Sequence, residues 1–94
     1  MLQIRVQEGN AVIVSGRLDA SQAGKAGKVL DTLASSAEID VSGLEYISSA
    51  GIGVLVKTQL RLQATGHTLK LIKLQPRVKA VFHFAGLEEF FGID

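Results

Sequence analysis

Two adjacent serines, Ser48 and Ser49, stand directly before a segment with helical character, and they are the side chains best placed for chemistry. A serine at a helix N-cap accepts a hydrogen bond from a free backbone N–H group. The same N–H groups, with the positive end of the helix dipole, also favour a phosphate. Gly51 and Gly53 remove side chains from the first turn, so a partner's backbone or an anion could come close there. The pair therefore predicts one capping and one exposed serine, in either order.

Other patterns that would support catalysis are incomplete. A G-x-S-x-G nucleophile elbow needs glycine where Ile47 stands. A Walker A loop ending at Gly27-Lys28 would need glycine at Gln22 and a hydroxyl residue at Val29. The two histidines show no recognised metal-ligand spacing, and the chain has no cysteine. We therefore expect no enzyme activity, no cofactor and no metal.

Length and composition indicate a single small domain over residues 1–94, and 47% apolar residues allow a core without disulfides or metal. A net charge of +1 and few aromatic residues argue against nucleic acid as a partner. The N-terminus alternates and is interrupted by Arg5 and Glu8, so it lacks the apolar core of a signal peptide. No stretch reaches membrane-spanning length. A cytoplasmic location without membrane insertion is the expectation.

The elements that must position the serine pair begin with a hairpin. Residues 2–7 alternate between apolar and polar types, which predicts a strand with one buried face. Gly9 and Asn10 form a two-residue hairpin signal. Ala11–Ser15 is a continuous apolar run, typical of a strand buried on both faces. We expect the two strands to pair antiparallel.

A first helix is expected at about Ala20–Leu33, with Asp19 or Ser21 as its N-cap. Gly24 and Gly27 each cost about 1 kcal/mol relative to alanine in a helix interior. They could allow a close approach of this helix to the sheet or to a partner.

The serine pair is flanked by a third strand and a second helix. The strand is expected at about Glu38–Val41, followed by a turn at Ser42-Gly43 and a short apolar step at Leu44–Ile47. The helix runs from Ser49 or Ala50 to about Ala64, with Gly66 as its C-terminal cap. Its predicted buried stripe comprises Ile52, Leu55, Val56 and Leu60, and its opposite face carries Gly53, Lys57 and Arg61.

The last third of the chain predicts a strand marked by Leu69, Leu71 and Leu74, then a helix that begins at Pro76 and stops at Gly86. Residues 87–93 are apolar enough for a short strand or a packed tail. The helix's predicted buried face comprises Val78, Val81, Phe82 and Ala85. Phe84 lies outside this face; we expect it to pack under the tail, and the alternative is an exposed aromatic side chain for a partner.

The order β β α β α β α, with or without a last strand, predicts an α/β fold. Strand–helix–strand crossovers are almost always right-handed. We therefore expect a mixed, mostly parallel sheet of four to five strands with three to four helices packed on it.

The stretch around the serine pair resembles the core of the STAS domain, the anti-sigma factor antagonist family. That family carries the pattern D-[SV]-S-x-[LV]-x-[FY]-[MI]-D-S-[STA]-G-[LI]-G. The G-[RE]-[LI]-D step at Gly16–Asp19 and the P-x-V-x-x-[VL]-F-x-x-x-G-L run at Pro76–Leu87 also resemble the family, so the resemblance covers nearly the whole chain. The residues that match the core pattern are Asp40, Ser42, Leu44, Tyr46, Ile47, Ser49, Ala50, Gly51, Ile52 and Gly53.

The resemblance implies a regulatory binding protein with Ser49 as phosphoacceptor. One implied partner is an anti-sigma factor that is also a serine protein kinase, and phosphorylation of Ser49 would release it. The other is a serine phosphatase, which would remove the phosphate and restore binding. The implied partner-binding residues are Asp19, Ser42, Ser48, Ser49 and Gly51, together with Lys57 and Arg61 on the exposed side of the second helix.

One departure from the family pattern opens an alternative. The acidic residue that precedes the phosphoacceptor in the family is Ser48 here. This change favours a non-phosphorylated, STAS-like structural subunit of a transporter or signalling scaffold.

Overall fold

The fold is built on one four-stranded sheet, and the computed structural model describes residues 1–93. The order β β α β α β α is confirmed. The strands are β1 (Leu2–Gln7), β2 (Ala11–Leu18), β3 (Ala37–Ile47) and β4 (Leu69–Ile72), and the helices are α1 (Ala23–Leu30), α2 (Ser49–Gln63) and α3 (Pro76–Phe84). Two 3₁₀ turns complete the described chain, Glu8–Asn10 in the hairpin and Glu89–Phe91 in the tail.

The sheet has the order β1-β2-β3-β4 and is mixed, as predicted. β1 and β2 pair antiparallel, whereas β2 with β3 and β3 with β4 pair parallel. The hairpin loop has three residues rather than the expected two, because Gln7 pairs with Ala11. Gly9 and Asn10 have φ values of 77° and 58°, a left-handed conformation that glycine and asparagine tolerate best.

One face of the sheet carries the core, and the other is open. Val12 and Val14 of β2 are buried, whereas Ile13 between them is only partly covered. The prediction that β2 is buried on both faces is therefore wrong. The long apolar run is explained instead by the central position of β2, where even the open face is partly shielded by neighbouring side chains.

β3 is one continuous strand, so the expected turn at Ser42-Gly43 is wrong. The parallel register slips where Ile13 pairs with Asp40 but Ser15 pairs with Gly43, which leaves one extra residue in β3. Such a bulge bends a strand without ending it. Gly43 suits this place because a Cβ atom there would lie 2.8 Å from the Ser15 Cβ. A second slip follows near Tyr46.

α1 is shorter than predicted at both ends. Before it, the Asp19 carboxylate accepts hydrogen bonds from the Ser21 hydroxyl at 2.6 Å and the Gln22 N–H at 3.2 Å, which holds these residues in a turn. After it, the Thr32 hydroxyl donates to the Val29 carbonyl at 2.6 Å. Local side-chain hydrogen bonds of this kind compete with continued helix.

The buried face of α2 is rotated from the one predicted. Leu55 is buried as expected, and Ile52 and Val56 are partly buried against the core, but Leu60 is 55% exposed. Thr58 and Gln59, which are polar, are buried instead. Gln59 is satisfied there because its amide donates to the carbonyls of Leu69 and Phe90, at 2.9 and 2.6 Å, and accepts from the Leu69 N–H at 2.6 Å.

The C-terminal segment is a packed tail, one of the two forms expected. Phe91 is fully buried and lies edge-on to Phe82 of α3, with ring centroids 5.4 Å apart. Phe84 is 87% exposed, so the prediction that it packs under the tail is wrong, and Ala85 is also exposed. Among the helices of residues 1–93, none is long and apolar enough to cross a bilayer.

Candidate functional site

The serine pair lies at the carboxyl edge of the two central strands. Leu18, the last residue of β2, pairs with Ile47, the last residue of β3. Asp19 and Ser48, the residues that follow these two strand ends, therefore lie at the same edge of the sheet. This edge is where ligands and partners commonly bind in open α/β sheets.

Ser48 is the N-cap of α2. Its backbone is extended, and its hydroxyl oxygen accepts a hydrogen bond from the Gly51 N–H at 3.1 Å. The order left open by the sequence is thus resolved: Ser48 caps and Ser49 is the first helical residue. Ser49 is exposed, and no hydrogen bond to its hydroxyl is found within residues 1–93. The arrangement leaves one serine hydroxyl free at a helix N-terminus.

Asp19 supplies a fixed negative charge on the same edge. The hydrogen bond from the Ser21 hydroxyl, aided by the Gln22 N–H, lowers the pKa of the Asp19 carboxyl below its ordinary value. The carboxylate is therefore ionised at neutral pH. Asp19 follows the end of β2 beside the end of β3, and its role in partner binding stays a prediction.

Gly51 is buried, which contradicts its expected place on an open contact surface. A Cβ atom at this position would lie 2.7 Å from the Leu18 Cγ and 2.8 Å from the Leu18 carbonyl oxygen. The missing side chain therefore lets α2 approach the end of β2. Gly53 differs, since a Cβ atom there would meet nothing within 4 Å.

Ser42 belongs to a separate cluster farther back along β3. It is five residues before Ile47, and at about 3.3 Å per residue this places it roughly 16 Å from the strand end. Its N–H donates to the Asp40 carboxylate at 2.9 Å, and its carbonyl accepts from the Gln75 amide at 2.8 Å. The Asp40 carboxylate also lies 3.6 Å from the Lys73 ammonium. The structure does not bring Ser42 to Ser49.

The two basic residues of α2 have different surroundings. The Arg61 guanidinium donates to the carbonyls of Leu30 and Leu33, at 2.9 and 2.8 Å, and so binds the C-terminal end of α1. Lys57 is exposed, and no ion pair within residues 1–93 includes it. Arg61 therefore joins two helices, and Lys57 remains the cation available on this surface.

An outward-facing line of residues on α2 ends at an exposed leucine, which the apolar pattern did not predict. Gly53, Val56 and Leu60 follow Ser49 at helical intervals of four, seven and eleven residues, so the four lie on one line along the helix. We call them the α2 outer stripe. Gly53 has no side chain, Val56 is partly buried against the core, and Leu60 is 55% exposed. The sequence shows this spacing, but its apolar pattern predicts Leu60 in the core.

A comparison with family models identifies the chain. The model described as "Mlab, STAS domain" matches residues 4–93. The chain is a STAS domain. The resemblance around Ser49 is thereby confirmed for the family, over nearly the full length.

Solved structures show the same fold for this STAS domain. The anti-sigma factor antagonist SpoIIAA in its unphosphorylated form superposes with a TM-score of 0.70 at 19% identity, covering 89% of this chain and 83% of that one. The Bacillus cell fate determinant SpoIIAA in the phosphorylated form gives 0.68 at 20% identity, covering 95% and 86%. An antisigma-factor antagonist STAS domain from Rhodobacter sphaeroides gives 0.56 at 15% identity, covering 78% and 85%. No curated protein sequence matches the chain.

Both histidines of this STAS domain lie against other side chains. The His83 imidazole lies 2.7 Å from the Glu88 carboxylate, and the His67 imidazole lies 3.4 Å from the Ser36 hydroxyl. Within residues 1–93, no group of three or more histidine, cysteine or acidic side chains could hold a metal ion. The site thus consists of an exposed serine, a neighbouring carboxylate and an apolar helix face.

Proposed function

We propose that this STAS domain is an anti-sigma factor antagonist-like binding protein that docks on an anti-sigma factor acting as a serine kinase. Phosphorylation of Ser49 then ends the complex. The observation that carries the proposal is the free Ser49 hydroxyl at the first position of α2, which is available because Ser48 has taken the cap. Kinases need such an exposed hydroxyl, and a helix start accommodates the added charge.

The docking surface proposed here comprises the α2 outer stripe, Lys57 and the Asp19 carboxylate. Val56 and Leu60 would supply apolar contact, and Lys57 and Asp19 would supply charges of opposite sign. An interface of apolar core and charged rim is the common arrangement for specific complexes. Ser49 lies at one end of this surface, so its modification changes the surface directly.

Release follows from electrostatics. A phosphate adds a charge of about −2 at neutral pH. The backbone N–H groups of α2 partly neutralise it within the free domain. In the complex, it would have to be desolvated against the partner and would lie on the same sheet edge as the Asp19 carboxylate. The free state would therefore be favoured over the bound state.

The role we propose is binding rather than catalysis. A nucleophilic serine needs a general base within hydrogen-bonding reach. Both histidines have other neighbours, Glu88 for His83 and Ser36 for His67. These contacts support assigning Ser49 as a substrate of a kinase rather than as a nucleophile.

Intact-mass spectrometry tests the proposal. The purified domain is incubated with ATP and a candidate serine kinase from the same genome, and we expect one added phosphate. The phosphate should be lost in Ser49→Ala and kept in Ser48→Ala, the matched control. A serine phosphatase should remove it. Ser49→Asp should bind the kinase more weakly than the unmodified domain. Equal binding of Ser49→Asp would contradict the release mechanism.

A second function is a structural docking subunit of a transporter or signalling scaffold that is never phosphorylated. It is favoured by Ser48, which stands where the family has an acidic residue and is engaged as a cap. The same experiment separates the two. Kinase binding without phosphate would indicate a docking module. A neighbouring permease gene would favour the transporter, and a neighbouring kinase or sigma factor gene would favour switching.

A further inference from the structure

A groove of about 260 Å³ runs between α1 and α2, next to the α2 outer stripe. The Arg61 guanidinium holds the C-terminal end of α1 on α2. Residues that line the groove include Gly24, Gly27, Lys28 and Asp31 on α1 and its end, and Val54 and Lys57 on α2.

No side chain in the described part of the chain fills the part of the groove beside Gly24 and Gly27. A Cβ atom at Gly24 would meet nothing within 4 Å, and one at Gly27 would lie 3.9 Å from a methyl group of Val54. The contrast is Gly51, where a Cβ atom would collide with Leu18. The glycines of α1 are thus not required by internal packing, although both lower helix propensity.

The walls of the groove carry two lysines without an acidic partner. Lys28 and Lys57 are exposed, and neither takes part in an ion pair within residues 1–93. Lys25, one turn earlier on α1, is different because its ammonium donates to the Leu2 carbonyl at 2.7 Å. Asp31 is the acidic residue that lines the groove, so the lining has a net charge of +1 from two lysines and one aspartate.

We propose that the groove binds an acidic segment of the partner protein, with a carboxylate between Lys28 and Lys57 and the segment's backbone above Gly24 and Gly27. The two lysines attract a negatively charged side chain. The two glycines have no side chain, so they allow the backbone of the bound segment to come close. Asp31 repels a second carboxylate at its end of the groove, which gives the segment a preferred direction. Complementary charge of this kind favours fast and specific association. The inference rests on the proposed function for the identity of the partner, because Lys57 belongs to both surfaces.

An NMR titration tests the groove without knowledge of the partner. The probe is an acetylated and amidated peptide of alternating glutamate and alanine, added to the ¹⁵N-labelled domain. We expect amide shifts concentrated at Gly24, Gly27, Lys28 and Lys57, and at least fivefold weaker binding in the Lys28→Gln/Lys57→Gln double variant. The matched control, Lys79→Gln, changes an exposed lysine on α3 and should leave binding unchanged.

Three results would overturn the inference. One is the absence of shifts at millimolar probe. Another is a set of shifts spread evenly over all lysines, or centred near Lys79, which indicates non-specific attraction. The third is equal affinity of the double variant and the unmodified domain. Well-dispersed spectra of each variant establish that loss of binding is not loss of fold.

A parallel measurement separates this inference from the proposed function. The candidate serine kinase is titrated with the unmodified domain, with Lys28→Gln, which changes a groove lysine outside the proposed docking surface, and with Gly24→Leu, which adds a side chain to the groove. Weaker kinase binding in both variants supports the groove. Unchanged kinase binding overturns it and leaves the proposed function standing. If the kinase does not bind the unmodified domain, the proposed function fails, and the peptide titration still decides whether the groove takes an acidic segment.

Discussion

The carbonyl oxygen of Leu18 accepts two hydrogen bonds from Ser48, one from its N–H at 2.9 Å and one from its hydroxyl at 3.3 Å. The oxygen of that hydroxyl also accepts from the Gly51 N–H. Ser48 therefore joins the end of β2 to the first turn of α2. This use of Ser48 is what leaves the Ser49 hydroxyl free.

Replacing the cap should destabilise the domain. Ser48→Ala removes both side-chain hydrogen bonds, and we expect a loss of about 1 kcal/mol in the free energy of unfolding. Ser48→Asp restores the family's acidic residue and keeps the cap, but its carboxylate cannot donate to the Leu18 carbonyl, so we expect a smaller loss than in Ser48→Ala. Ser49→Ala is the control and should change stability by less than about 0.5 kcal/mol. Urea unfolding measures all three. A larger loss in Ser49→Ala than in Ser48→Ala would reverse the assignment of the cap.

The two glycines at the start of α2 should respond in opposite directions. Gly51→Ala places a Cβ atom 2.7 Å from Leu18, and we expect a loss of about 1–3 kcal/mol from overpacking. Gly53→Ala has open space and should gain about 0.5–1 kcal/mol from helix propensity. Thermal and urea unfolding of the pair provide the comparison. Equal effects would mean that Gly51 does not fix the approach of α2 to β2.

The sequence predicted the element order and the position of the serine pair at the start of α2, because these depend on local signals: alternation, caps and a motif within one stretch. It misplaced the middle of β3 because Ser42 and Gly43 are typical turn residues. Their role in a bulge depends on the neighbouring strand, where the Ser15 side chain excludes a Cβ atom at Gly43. Non-local contacts of this kind cannot be derived from the residues of β3 alone.

The buried face of α2 could not be derived for a related reason. Gln59 is polar, so the apolar pattern placed it outward and placed Leu60 inward. The structure reverses this because the backbone of Leu69 and the carbonyl of Phe90 meet the Gln59 amide. Arg61 likewise carries no sequence signal for its contact with α1, since its carbonyl partners lie about thirty residues earlier.

Gln59 should be among the most sensitive positions in the chain. Gln59→Leu keeps a similar volume but leaves the Leu69 N–H without its partner. We expect a loss of roughly 1–3 kcal/mol for each buried backbone group left unpaired. Gln63→Leu, on the exposed end of α2, is the control and should stay within about 0.5 kcal/mol. If chemical denaturation gave both variants the same stability, the buried hydrogen bonds would contribute little.

Stability should fall at acidic pH through Asp40. Hydrogen bonds from Ser42, first from its N–H, together with Lys73, lower the pKa of the Asp40 carboxyl below its ordinary value of 3.8. Because the pKa is lower in the folded state, the ionised Asp40 carboxylate stabilises the fold. This contribution to the free energy of unfolding is fully present above pH 3.8 and is lost as the pH falls through the pKa of the folded state. Asp40→Asn should therefore show a weaker decline in unfolding free energy than the unmodified domain between about pH 5 and about pH 2. Parallel pH curves for the two proteins would contradict this linkage.

The two basic residues of α2 should differ in their effect on stability, because Arg61 donates hydrogen bonds to the end of α1 and Lys57 does not. Arg61→Ala removes two charge-assisted hydrogen bonds to the end of α1, and we expect a loss of about 1–2 kcal/mol in unfolding free energy. Lys57→Ala should leave stability within about 0.5 kcal/mol. Hydrogen exchange should show faster opening of α1 in Arg61→Ala only. Arg61→Ala with full stability but weaker partner binding would return Arg61 to the contact surface that the sequence resemblance implied.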